Sequence, residues 1–339
     1  MITQKEFENC FDGYEIIDCA VRSPVAFHFV VRHINEGIKA GPMSEWTVGK
    51  RGVSLFLDEP EGQRVGGVNL NNFKITYVGA CKTSGQSDQA VFVDSAREVC
   101  SRGGGHNGME SPIPIGREGP MRGIVLRARM IDGNLFLAGS LRSACRRRGV
   151  NDWESLCYDL PVPTKREHED VMNAENLWFS DIDAFNVEDL YVVGGKGIVW
   201  HLQGKSWTQI AFPSNMHLES VCCAEDGFVY IGAQSGTVFK GRGDKWKMIY
   251  RGNLALPFKD IVWHAGRLWC TNDYGLWVMD GENIVRAEDI NSDIAVCAGN
   301  LSVADGMLLM AGRNGAAYHD GDVWRLIFND QKMKENIKS

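Results

Sequence analysis

Four segments in the second half of the chain repeat one pattern at one spacing: Asp189–Trp200, Phe228–Phe239, Arg267–Val278 and Met307–Tyr318. Each reads as a short apolar run, a polar turn containing glycine, and a second apolar run. The shared glycines, Gly197, Gly236, Gly275 and Gly315, stand 39, 39 and 40 residues apart. A second landmark keeps step with the first: Gly204-Lys-Ser-Trp207, Gly243-Asp-Lys-Trp246, Gly281-Glu-Asn-Ile284 and Gly321-Asp-Val-Trp324, with glycines 39, 38 and 40 apart. One Gly-x-x-Trp carries no information. Two landmarks in step over four copies define a repeat, and a repeat constrains the architecture more than any other feature of a sequence.

The apolar runs are rich in Val, Ile, Leu, Tyr and Trp and are too short for helices, so they are read as strands. The Gly, Asn and Asp turns between them suit antiparallel hairpins. Each repeat is therefore expected to be a sheet of about four strands. Such a sheet cannot cover both of its faces alone. Stacking the copies in a ring covers both and leaves few open edges. The expected fold is an all-β propeller of about seven four-stranded blades, with six or eight also compatible, formed by residues 1–339 as a single domain. The Trp of the second landmark should pack between blades.

The landmarks continue upstream with insertions. Asp132–Gly139 matches Asp305–Gly312, and Trp153 stands where a blade Trp is due. Lys74–Ala80 with Ala90–Val93, and Ala26–Val31 with Trp46–Val48, make further strand pairs. Blades are expected near 14–60, 62–115, 121–163, 176–216, 217–256, 257–293 and 294–329. The two chain ends should meet, and a strand from one end can complete the blade at the other. Residues 101–120 read as a long Gly/Pro-rich insertion, 161–176 as a charged connector and 330–339 as a flexible tail.

These blades resemble bacterial β-propellers of the broad WD40/YVTN and BNR type, chiefly over residues 176–329. Thr271-Asn-Asp-Tyr-Gly-Leu-Trp-Val278 comes close to the Asp-box of sialidase-type propellers, Ser/Thr-x-Asp-x-Gly-x-x-Trp. The other copies carry Gly195, Gln234 and Arg313 where that box has Asp. The resemblance is one of architecture.

The chain has 36 Lys and Arg against 43 Asp and Glu, a net charge of −7. This balance disfavours a nucleic-acid partner, which usually meets a basic face. No stretch is long and apolar enough for a membrane helix, and Met1–Cys10 is polar, so no membrane association and a cytoplasmic location are expected. The ten cysteines are scattered without a Cys-x-x-Cys pair, and are expected to be reduced and mostly buried. The eight histidines show no metal-ligand spacing, and neither a metal nor a cofactor is expected.

No nucleophile elbow, zinc-protease motif or P-loop is present. Asp181 and Asp183 are two apart on a strand, hence on one face, as carboxylates at a central channel would be. The 39-residue step carries Asp181 onto Ser220 and Lys259, a polar position that varies between blades as a binding face would. Arg142, Arg146, Arg147 and Arg148 form a basic cluster on an expected hairpin insertion, suited to an acidic partner surface. His106 lies in the Gly-rich insertion. These eight residues are the candidate partner-binding set; no catalytic residue is assigned. The leading expectation is a non-enzymatic platform that binds another protein, more pointedly an immunity protein capping a basic bacterial toxin, towards which an acidic chain would be steered. The alternatives are a glycan-acting or glycan-binding propeller using Asp181 and Asp183, and a component of a larger phage or secretion assembly.

Overall fold

The computed structural model describes residues 1–40, 42–82, 88–281 and 283–338. Seven four-stranded antiparallel sheets follow one another at 14–69, 76–109, 125–155, 181–209, 218–250, 260–286 and 300–329, here blades 1 to 7. In every blade the strands pair in chain order. The first strands are Tyr14–Ser23, Thr76–Cys81, Val125–Ile131, Asp181–Asn186, Leu218–Cys223, Asp260–His264 and Asn300–Ala304. Each lies against the first strand of the next blade, and the first strand of blade 7 lies against that of blade 1. The expected seven-bladed propeller is thus a closed ring around these inner strands.

The turns fit their residues. Asp132-Gly133 and Asp305-Gly306 both take positive φ and close two-residue hairpins between Ile131 and Asn134 and between Ala304 and Met307. That geometry matches strand twist and favours Asp-Gly. The landmark aromatics seal the joints between blades. The Trp207 indole donates to the Leu156 carbonyl of blade 3 at 2.8 Å and stacks on Phe179. Trp246 meets Tyr191 of blade 4 edge-on, and Trp324 meets Trp269 of blade 6. Ile284 holds the landmark position in blade 6 and belongs to the same apolar cluster as Tyr230 of blade 5. Nine of the ten cysteines are buried, and all ten are free thiols.

Four expectations need correction. Trp46–Val48 is not a strand: Pro42–Thr47 is a short 3-10 helix, and the third strand of blade 1 is Lys50–Phe56. Its charged start hid it. The Lys50 ammonium is buried and donates to the carbonyls of Glu45, Val48 and Phe73. Residues 101–109 are not an insertion, because Val99–Gly103 and His106–Met109 are the outer strands of blade 2, joined by a turn whose glycines supply positive φ. Ser143–Gly149 is the third strand of blade 3, so the arginine cluster lies on a sheet. Lastly, Asp330–Lys338 is a helix rather than a loose tail.

The ends meet, but among the described residues no strand crosses from one to the other. A helix does the joining. Gln4–Cys10 begins with a capping box in which the Thr3 hydroxyl accepts from the Glu6 N–H while Glu6 accepts from the Thr3 N–H. Phe7 and Phe11 both pack on Phe328 of blade 7, and Phe11 also on Phe29 of blade 1. Ile2 N–H donates to the Ile327 carbonyl, the Gln4 amide donates to Met333 in the C-terminal helix, and Glu6 accepts from Arg64 N–H of blade 1. Removing the Phe7 side chain therefore empties the joint between first and last blades. Phe7→Ala should cost about 3–5 kcal/mol in urea unfolding, and amide exchange should speed up first in blades 1 and 7.

Candidate functional site

The inner strands carry polar side chains where a channel needs them, and most are used to tie neighbouring blades. Asp18 accepts from Val78 N–H of blade 2. Asp181 and Asp183 accept from Val221 and Cys223 N–H of blade 5, at 2.9 and 2.7 Å. Asp260 accepts from Leu301 N–H of blade 7, and Ser302 from Val21 N–H of blade 1. The Ser220 hydroxyl donates to the carbonyl of Phe258, in the link just before blade 6. Inner strands of adjacent blades do not form a sheet with each other. Their facing N–H groups would be left without partners, and side-chain oxygens supply the missing acceptors.

Two arginines then cross the channel. Arg127 and Arg129 are two apart on the inner strand of blade 3 and share a face. Arg129 grips Asp181 of blade 4 with both ends of its fork, at 3.0 and 2.9 Å, and reaches Asp260 of blade 6 at 3.0 Å. Arg127 bonds Asp181 at 2.9 Å and also pairs with Asp260. Burial would push the Asp181 carboxyl up, but the two guanidiniums outweigh it and hold the group below its ordinary range. Burial likewise disfavours charge on Arg129, yet Asp181 keeps its pKa raised. Asp183 has no such fork, and burial pushes it up to about 6. Burial raises Asp18 too, against the pull of Arg127. Beside the network lies a cavity of about 320 Å³ lined by Asp18, Arg127, Arg129, Asp183, Asp260 and Trp263.

Asp181 and Asp183 therefore do share a face at the channel. Asp181, however, is buried and neutralised. It is bound as an acceptor on every side rather than poised to donate a proton. Lys259 sits exposed above the channel, its ammonium 3.5 Å from the Ile17 carbonyl of blade 1. It is not the counterpart of Asp181. The inner hairpin of blade 6 is one residue shorter than those of blades 4 and 5, since Asp260 pairs with Thr271 where Asp181 pairs with Val193 and Ser220 with Gly232. The fixed step thus lands one residue short of Asp260.

The arginine cluster is not a free basic patch. Arg147 is fully buried and forms a two-point pair with Glu110 of blade 2, at 2.9 and 2.7 Å, with Gln89 on its second amino group. Arg146 and Arg148 both hold Glu154 on the adjacent strand. Arg142 bonds Glu167 in the connector after blade 3. The strand alternation that buries Arg147 and turns its neighbours outward is not legible in a segment expected to be a hairpin insertion. His106, on the outer strand of blade 2, bonds Ser101 at 2.8 Å. The eight candidates are thus divided between the channel, blade 3 and the edge of blade 2. Among the described residues no group of three or more His, Cys, Asp or Glu is arranged to hold a metal ion.

Asp183 sets a pH dependence. Its folded pKa lies above the unfolded value of 3.8. The folded state therefore binds the proton more tightly, and this group's stabilisation is present at low pH and lost as pH rises through about 6. Asp183→Asn keeps an acceptor for Cys223 N–H without the charge. In thermal unfolding the variant should match the wild type near pH 4 and exceed it near pH 8, by on the order of 1–3 kcal/mol. Equal melting at both pH values would contradict the assignment.

No established protein-family profile matches the sequence. The chain is 29% identical over 245 residues, 71% of its length and 76% of the relative's, to immune protein Tsi7 of Pseudomonas aeruginosa. Among solved structures, YCF48 from Cyanidioschyzon merolae superposes with a TM-score of 0.59 at 10% identity, covering 92% of this chain and 97% of that one. The WD40 β-propeller domain of Doa1 superposes with a TM-score of 0.54 at 10% identity, covering 89% and 91%. By its own strands and by these neighbours the chain is a seven-bladed β-propeller of WD40-like architecture, and in sequence it is similar to an immune protein.

Proposed function

We propose that this chain is a non-enzymatic, cytoplasmic immunity protein that binds a protein toxin through one face of its ring. The similarity to immune protein Tsi7 along most of both chains carries this reading. The channel supports it: the inner carboxylates are committed to stitching blades and to the two crossing arginines.

Topology suggests which face docks. In an antiparallel meander, the turn between second and third strands and the link to the next blade lie on one face. That face carries the long segments 34–49, 110–124, 156–180, 251–259 and 287–299, whereas several turns of the opposite face have two residues. Four of the five most exposed large apolar side chains among the described residues also sit in its loops, Met172, Val171, Ile38 and Tyr274, each more than two-thirds exposed, with Trp46 half exposed. Apolar and aromatic side chains displayed on loops of a rigid scaffold suit protein recognition. The net charge of −7 favours encounter with a basic partner. The arginine cluster contributes little, because its charges are already paired within the molecule.

The test is co-expression with the toxic product of a gene adjoining this chain's own. Growth should be restored, and the two proteins should co-elute as a small stoichiometric complex rather than a large assembly. Val171→Asp with Met172→Asp, at solvent-facing positions, should weaken the complex about tenfold or more, about 1.4 kcal/mol, without lowering the melting temperature. Equal killing with and without this protein would overturn the reading.

A further inference from the structure

A second cavity, of about 260 Å³, opens between blades 1 and 2 and shares no lining residue with the channel cavity. Its polar lining is Arg22, His28, Ser54, Arg102 and Asn107, and the remaining walls are four glycines, Phe56 and Val68. No carboxylate lines it. This is unusual in an acidic chain, where most arginines are paired. Among the described residues neither Arg22 nor Arg102 has a carboxylate within ion-pair distance, and Arg22 Nε has no hydrogen-bond partner. Both arginines line the same cavity, and Arg22 Nη1 lies 3.6 Å from where a Cβ on Gly103 would stand.

His28 supplies the independent observation. Its side chain is 1% exposed. Nδ1 lies 2.9 Å from the Ser54 hydroxyl, while Nε2 is buried without a partner among the described residues. Burial and the nearby Arg22 push its pKa down to about 3, so the ring is neutral at pH 7. In the tautomer that accepts at Nδ1 from the Ser54 hydroxyl, the ring proton sits on Nε2 as an unused donor. A buried donor without an acceptor is costly, and the two half-buried arginines beside it have no counter-charge among the described residues. One anionic ligand answers both.

We propose that this inter-blade cavity binds a small tetrahedral oxyanion, phosphate or the phosphate group of a small metabolite. Arg22 and Arg102 supply charge and forked donors, and His28 Nε2 and the Asn107 amide complete the shell. A carboxylate would be satisfied by one fork, whereas a phosphate has oxygens enough for donors arriving from several strands. The glycine walls leave room: a Cβ at Gly66 would touch nothing within 4 Å. The site is separate from the toxin-docking reading and stands or falls without it.

The experiment is a titration of the full chain with inorganic phosphate, read by the His28 ring nitrogen resonances and by calorimetry, with a sugar monophosphate, acetate and chloride run in parallel. Phosphate should shift the His28 signals saturably and raise the ring pKa. Arg22→Gln and Arg102→Gln should each weaken binding about tenfold or more, with the melting temperature in phosphate-free buffer unchanged. Tighter binding of the monoester assigns the site to a metabolite, and equal binding to free phosphate. An unmoved His28, an equal response to acetate or chloride, or undiminished binding in both variants would overturn the proposal.

Discussion

The inner strands of a propeller lie side by side without pairing, and that leaves a ring of backbone donors with nothing to bond. In this chain aspartate and serine side chains fill the gap, from Asp18 on blade 1 to Ser302 on blade 7. Burying so many carboxylates at the axis concentrates negative charge where water is scarce. Arg127 and Arg129 answer it by reaching from blade 3 to blades 4 and 6. The ring's closure, the ionisation state of Asp181 and the limited space in the channel all follow from this arrangement. The seam where the chain ends meet is secured differently, by Phe7 and Phe11 driven into the joint and by the bonds of the N-terminal helix to both neighbours.

Much of the fold is legible in the sequence because the repeat is physical. Gly204 and Gly243 are spaced as they are because each turn requires positive φ there, and Trp207, Trp246 and Trp324 recur because each joint needs an aromatic filler. Blades 4 to 7 lie where the spacing puts them. Blades 1 and 2 are blurred for local reasons. Lys50 opens a strand yet is buried on carbonyl oxygens, and the Gly-rich run at 103–105 closes a hairpin. Neither looks like a blade when read for hydrophobicity alone.

The site is less legible, since a charge and its partner are far apart in the chain. Asp181 and Asp183 announce themselves by spacing, but the arginines that define the state of Asp181 lie more than fifty residues upstream. Arg127 and Arg129 carry the same spacing-by-two signal and could have been found with it. Asp260 is missed by one residue because a hairpin in blade 6 is shorter. Arg147 is the converse case. It looks like part of a basic patch, yet the strand pleat turns it inward onto Glu110 while Arg146 and Arg148 face out to Glu154.

The inner carboxylates are engaged in blade-to-blade bonds and ion pairs, so the proposed recognition falls to the margins, where one face carries the long connections. The claim beneath this is that the crossing arginines hold the ring together. Equilibrium urea unfolding of Arg129→Met tests it most directly. The account predicts a loss of about 3–5 kcal/mol, because Asp181 and Asp260 would remain buried with diminished compensation, and a partial rescue when Asp181→Asn is added. An unfolding midpoint equal to that of the wild type would contradict it.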